Sequence, residues 1–264
     1  MFRDAIPGME KVFQTEPPQG SVILVVGCAG TLKSAFIYNL IANSIVKRSK
    51  EKTECVFVTL EETRTSLLRN IQSMGITPSD NIQIADLASF LKEIDLFSNL
   101  AKEIDYTELI LEQASRSFDI YDKIDHSLGG PTKRPMVLPE PGRTGTPNKN
   151  LITPTIFVLD SLNALNALVS GSAANLRMEM ANFMFKLRAK GVTSFIVMEV
   201  GDPRIHRPEH FLVDGIIELG MMATEPRKVK RYLKVQKMRS TKHSIEPFLI
   251  EVADDGIRVV EELI

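Results

Sequence analysis

No stretch of this sequence runs for about 18 residues without charge on apolar side chains, so nothing in it reads as a membrane-spanning helix. Its opening, MFRDAIPGMEKVF, places charges where a secretory leader needs an apolar stretch, so no signal peptide is expected. Cysteine is nearly absent. Cys28 and Cys55 alone cannot build a disulfide framework or a zinc site, and a reducing cytoplasm is the expected compartment. Charge of one sign is missing too: 33 acidic residues against 32 lysines and arginines leave a net charge of −1. Such a balance gives no global field to draw in nucleic acid, although it leaves room for a local basic face. There is no internal repeat.

What is present is a chain of 264 residues, 44% apolar, enough for one large domain or two small ones. Apolar runs separated by amphipathic stretches predict an α/β fold on a mainly parallel sheet. Strands are expected at 21–27, 54–60, 155–160 and 193–200, and helices at 33–50, 63–75 (closed by Gly75) and 174–190. The last third reads as shorter strands joined by hairpins, at 213–220, 231–239 and 247–260. In the middle one, alternation sets Tyr232, Lys234 and Gln236 on a polar face against Leu233, Val235 and Lys237.

Residues 81–153 stand apart. Positions 86–124 read as a charged helical stretch, and 126–153 hold five of the fourteen prolines with no sustained period. A loop of that length is unusual inside a compact domain, so it is expected to be a functional flap or a disordered insertion. Strands on both sides are needed for one sheet, which makes it an excursion from a single domain spanning 1–264.

Three short stretches carry chemistry. GCAGTLKS, residues 27–34, follows a buried strand and opens a helix, as a phosphate-binding loop of pattern G-x-x-x-x-G-K-[ST] does. Free amides and the helix dipole converge on an anion at such a place. Lys33 could reach the β- and γ-phosphates and Ser34 could ligate Mg²⁺. The glycine that should precede the lysine is Leu32. Asp160 ends the strand IFVLD, where a carboxylate either joins that magnesium site or caps the next helix. Glu61 and Glu62 follow the second strand. They could orient or deprotonate water, or Glu62 could sit in the first turn of a helix and favour its dipole.

In this order the pieces resemble the KaiC family of RecA-type ATPases. The segments carrying the likeness are IPGMEKVFQTEPPQGSVILVVG, FVTLEETRTSLLRNIQSMG, FVLDS, VMEV (where the family commonly has T-T-E), HFLVDGIIEL and RYLKVQKMRSTKHS. The resemblance implies a RecA-like three-layer α/β/α core with antiparallel C-terminal strands, in a single-domain, archaeal-type member. It implies that Gly27, Cys28, Ala29, Gly30, Thr31, Leu32, Lys33 and Ser34 hold the phosphates of ATP. Ser34 and Asp160 would hold Mg²⁺, and Glu61 and Glu62 would activate water. Lys237 and Arg239 match basic residues that reach the γ-phosphate held by a neighbouring subunit, which implies a homo-oligomeric ring, usually a hexamer. Such a donor supplies positive charge to the transition state only on assembly.

Departures from the family are as informative. Leu32 and Ser240 replace glycines, FQTE replaces a glycine-bearing turn at 13–16, and 81–153 do not follow the pattern. Only one such domain is present, so the autokinase behaviour of the two-domain clock protein does not carry over. A leucine forced into a glycine conformation costs about 1–3 kcal/mol, which would lower ATP affinity roughly 5- to 150-fold. The leading expectation is a slow ring-forming ATPase with a regulatory or motor role and an unidentified protein partner. A non-hydrolysing nucleotide scaffold, as the related archaellum accessory protein FlaH suggests, is the second reading. A recombinase-like DNA-binding ATPase is third, hinted at only by TKRP at 132–135 and opposed by the neutral net charge.

Overall fold

The computed structural model describes residues 2–47, 55–87, 155–168, 173–189, 191–203, 205, 207–225 and 228–262. The strands in chain order are β1 (Val22–Gly27), β2 (Cys55–Thr59), β3 (Ile82–Asp86), β4 (Ile156–Asp160), β5 (Thr193–Glu199), β6 (Gly215–Glu225), β7 (Lys228–Met238), β8 (Phe248–Ala253) and β9 (Gly256–Glu262). The α-helices are α1 (Met9–Val12), α2 (Lys33–Lys47), α3 (Arg64–Ser73), α4 (Leu162–Leu168) and α5 (Ala173–Ala189). The strands make one sheet in the order β3-β2-β4-β5-β1-β6-β7-β8-β9. Pairing is parallel from β3 through β6 and antiparallel from β6 through β9.

β1 is the centre of this arrangement because all six of its residues are buried. A run such as VILVVG, apolar at every position, suits a strand covered on both faces. Alternate side chains then feed two cores. Ile23 and Val25 join Phe36, Ile37 and Leu40 of α2 and Leu67 and Ile71 of α3. Val22, Leu24 and Val26 join Met180, Phe183, Met184 and Leu187 of α5. Helices therefore cover both faces of the sheet, in the expected three layers. No described helix is long and apolar enough to cross a membrane.

Several boundaries differ from the sequence reading. Ile82–Asp86, assigned to the excursion, instead forms β3 at the sheet edge, paired in parallel with β2. Only its first residue is fully buried, so its pattern is too short and too polar to stand out. The charged helical stretch and the proline-rich segment lie, beyond Leu87, outside the described residues. A short helix, α4, follows Asp160, where the sequence reading allowed a capped helix but gave it no range. In β7 the two-face alternation stops at a bulge: Ile216 pairs Lys237 and Ile217 pairs Val235, leaving Gln236 as the extra residue. Leu233, Val235 and then Met238 enter the core, so Lys237 does not share their face.

α3 ends as its sequence predicts. The amides of Gly75 and Ile76 bond the carbonyls of Gln72 and Ile71, a Schellman closure, and Ile76 packs with Ile71 in the core. Gly75 has φ +72°, and a Cβ there would lie 2.0 Å from the Asp254 carbonyl oxygen. Gly75→Ala must therefore move backbone as well as strain it. Urea unfolding should show a loss of about 2–4 kcal/mol, and a loss below ~1 kcal/mol would contradict this packing.

Candidate functional site

The loop after β1 closes on one carbonyl. Cys28 O accepts from Thr31 Oγ1 at 2.8 Å and from Lys33 Nζ at 2.9 Å. Gly27 is needed because a Cβ there would meet the Leu219 carbonyl oxygen at 2.2 Å and Thr31 Oγ1 at 2.7 Å. α2 begins at Lys33, directly beyond Leu32, whose carbonyl accepts the Phe36 amide at 2.8 Å. Leu32 itself adopts φ 68°, the left-handed conformation its glycine counterpart would take. Its half-buried side chain packs against the core under α2 and α3. That conformation costs a non-glycine residue about 1–2 kcal/mol, and the contact offsets part of it. Because the ligand-free chain already carries the strain, it belongs to folding. The expected loss of ATP affinity does not follow from the backbone.

Parallel pairing brings the carboxyl ends of the neighbouring strands to this loop. Glu199 is the register partner of Gly27, and Asp160 is that of Val197 one strand over. Asp160 is buried, and its pKa is pushed up to about 6, first by desolvation and then by Glu61 and Glu62. A hydrogen bond with Ser34 and the Lys33 charge work in the other direction. Asp160 does not cap α4; the amide of Ala164 bonds Ser161 Oγ at 3.3 Å instead. The carboxylate is thereby left to face Ser34.

The two adjacent glutamates are held separately. Ser161 Oγ donates to Glu61 Oε1. Glu62 Oε2 accepts from Ser66 Oγ at 2.9 Å and Asn70 Nδ2 at 3.0 Å. Glu62 precedes the N-cap Thr63, whose side chain accepts from the Ser66 amide, so it lies outside the first turn of α3. With Lys33, Ser34 and Asp160, both glutamates line a cavity of about 250 Å³ whose other wall is Leu32, Leu67, Ile71 and Met74. Among the described residues no group of three or more His, Cys, Asp or Glu is arranged as a metal site. The Asp160–Ser34 pair nevertheless suits Mg²⁺, which takes one or two protein ligands and completes its shell from phosphates and water. A buried carboxylate short of positive charge is the observation that fits.

Sequence reasoning missed Glu199 and Asn163. Lys33 Nζ lies 3.4 Å from Glu199 Oε2. Asn163 clamps the Glu199 backbone, with Nδ2 donating to its carbonyl at 2.9 Å and Oδ1 accepting its amide at 2.7 Å. The strand-end logic applied to Asp160 would have found Glu199 as well. Also unforeseen is Arg231, whose Nε donates to the Gly30 carbonyl at 3.1 Å.

Lys237 and Arg239 are not brought to this site. Arg239 Nη1 pairs with Asp214 Oδ1 at 3.3 Å, and Asp214 Oδ2 accepts the amide of Val22 at the opposite end of β1. The strand rise puts that end about 17 Å from Gly27. Lys237 Nζ donates to the carbonyls of Val213 at 2.7 Å and His210 at 3.2 Å. Burial and the Arg239 charge lower its pKa. Arg239 remains more than half exposed, with Ser240 after it at φ 53°, again a left-handed turn where the family pattern has glycine.

A family model described as "ATPase: KaiC" matches residues 2–82 and 149–264. The chain belongs to the KaiC family of ATPases. Among the relatives, the UPF0273 protein MK0039 of Methanopyrus kandleri is 25% identical, covering 97% of this chain and 90% of its own. The circadian clock protein KaiC2 of Synechocystis is 26% identical over 97% of this chain but only 39% of its own length. The crystal structure of the KaiC-like protein PH0186 from Pyrococcus horikoshii superposes with a TM-score of 0.68, at 22% identity and 98% coverage of both chains. The fold is RecA-like, with the mainly parallel sheet and antiparallel C-terminal strands that the sequence predicts. The family match leaves out residues 83–148, most of the stretch that departs from the pattern.

Asp160 yields a pH test on ligand-free protein. Its carboxyl titrates near 6 when folded against 3.8 for the free side chain, so the folded state holds the proton more tightly. The resulting stabilisation is complete below about pH 4 and is lost as pH rises through about 6, on the order of 3 kcal/mol. Asp160→Asn should flatten that loss and be the more stable protein at neutral pH. Urea melts across about pH 4–8 measure it, and parallel curves for both proteins would refute the desolvation of Asp160.

Proposed function

We propose that this chain binds Mg-ATP in the strand-end cavity and hydrolyses it slowly as a ring of copies, usually six, in a regulatory or motor role. The observation that carries the reading is the meeting of the phosphate loop, the Asp160–Ser34 pair and two separately held glutamates around one cavity. Lys33 would bring its charge to the β- and γ-phosphates, with the loop from Gly27 to Leu32 cradling them. Ser34 and Asp160 would hold Mg²⁺, which supplies positive charge to the phosphate oxygens. Glu61, held by Ser161, would take a proton from the attacking water, while Glu62, fixed by Ser66 and Asn70, orients it.

The position of Lys237 and Arg239 at the far end of β1 excludes service to their own site and suits service to a neighbour's. The described elements are read as one domain, with the residues after β3 as an insertion returning at β4. Two free cysteines suit the cytoplasm, where ATP is made.

One observation favours a second reading, a nucleotide-binding scaffold that does not hydrolyse. Val197 and Met198 stand where the family commonly has two threonines, and Val197 lines the cavity without a hydroxyl. Occupancy would then control assembly or docking of a protein partner. No described residue favours the recombinase-like alternative.

Mg-ATP should raise the melting temperature of the purified protein, and Lys33→Ala should remove most of the shift. No shift at several millimolar Mg-ATP would end the nucleotide reading. Glu61→Gln with Glu62→Gln should keep affinity and lower phosphate release by about 10²-fold. If neither wild type nor Leu32→Gly releases phosphate above that double variant, the scaffold stands and the enzyme does not.

A ring with active residues in trans makes turnover per protomer rise with protein concentration, and Arg239→Ala should abolish the rise. Concentration-independent hydrolysis by a monomer in sedimentation runs would exclude it.

A further inference from the structure

We propose that Glu199 is the resting counterion of Lys33, which a nucleotide must displace, and that it thereby sets how far nucleotide binding depends on a divalent cation. This rests on the nucleotide reading above. The Lys33 side chain is only 9% exposed, and a buried ammonium without an opposite charge is strongly disfavoured. In the ligand-free chain it has two partners, the Cys28 carbonyl and Glu199. The other acids of the cavity are engaged elsewhere: Asp160 with Ser34, Glu61 with Ser161, Glu62 with Ser66 and Asn70. Glu199 is the one whose carboxylate lies on the lysine.

Its setting suits exchange. Asn163 fixes the Glu199 backbone through both its amide and its carbonyl, so the carboxylate can leave only by side-chain rotation. That side chain is 49% exposed and has room to turn toward water. When phosphate oxygens take Lys33, the displaced carboxylate stays tethered beside them. Two anions held that near repel, the more so where water is excluded between them. A divalent cation on the phosphates removes much of the repulsion, so metal-free nucleotide suffers most from Glu199. A neutral residue in its place would relieve both forms, the metal-free one more.

The test is calorimetric titration with ATP in excess Mg²⁺ and with ATP in EDTA, on wild type, Glu199→Gln, Glu199→Ala and Glu199→Asp. Removing the charge should tighten metal-free ATP by roughly ten-fold or more and Mg-ATP by clearly less, narrowing the gap between them. Glu199→Asp, which keeps the charge, should retain a gap close to that of wild type. The Gln and Ala variants carry the same expectation, so a folding defect in one leaves the other to decide. Equal weakening of both ligand forms, the mark of a merely structural residue, would overturn the proposal while leaving the nucleotide site intact. Binding by wild type with an unchanged gap in the variants would overturn it equally. If neither wild type nor variant binds ATP in any form, the nucleotide reading falls and takes this one with it.

Discussion

The burial of β1 on both faces, between two parallel neighbours, is the constraint on which the rest depends. Its apolar residues Val22 to Val26 are each at most 1% exposed, and each fully buried branched side chain is worth about 1.5–3 kcal/mol. A one-residue slip would exchange every one of them between the two cores. Once β1 is held, Gly27 is held. Register then places Glu199 beside Gly27, and Asp160 follows through Val197. The meeting of loop and carboxylates is a consequence of pairing, and it needs no long-range attraction among the polar groups.

Among the described residues two non-glycines occupy left-handed backbone, Leu32 and Ser240, and both stand where the family pattern has glycine. The turn shapes are thus imposed by what surrounds them. At Leu32 the surroundings are the start of α2, the Phe36 hydrogen bond and an apolar contact with the core. At Ser240 they are the Arg239 amide bonded to Asp214 O at 2.9 Å and the Thr241 hydroxyl bonded to Arg239 O at 3.1 Å. Each costs on the order of 1 kcal/mol or more, which the packed fold sustains. Strain of this kind lowers stability, and at Leu32 the chain carries it before any ligand binds.

Charge in the cavity is arranged as separate pairs. Four carboxylates face one lysine, and each is tied to a different donor: Ser34, Ser161, Ser66 with Asn70, and Lys33. Such an assembly is short of positive charge, which adds to the desolvation that chiefly drives Asp160 toward its protonated form. A cation accompanying a polyphosphate answers that deficit. Lys237 and Arg239 add nothing to it within the chain, because they sit at the other end of the sheet on Asp214 and backbone carbonyls.

The strands and helices nearest the phosphate loop were legible because their signals are local. VILVVG reads as a doubly covered strand, Gly75 closes α3 through its own backbone freedom, and GCAGTLKS keeps its lysine and serine despite Leu32. Family membership was likewise legible, since it rests on short motifs in order. Edge strand β3, helix α4 and the bulge at Gln236 were not, because their patterns are short and depend on which neighbour covers them. Nor was the choice among partners for each acid: Ser161 rather than Asp160 caps α4, and Glu199 rather than another carboxylate meets Lys33. By itself the sequence determined which residues could bind phosphate and metal, through residue type and spacing. Only the tertiary structure decided which of them meet, because hydrogen-bond register between strands far apart in the chain sets those distances, and no local pattern encodes it.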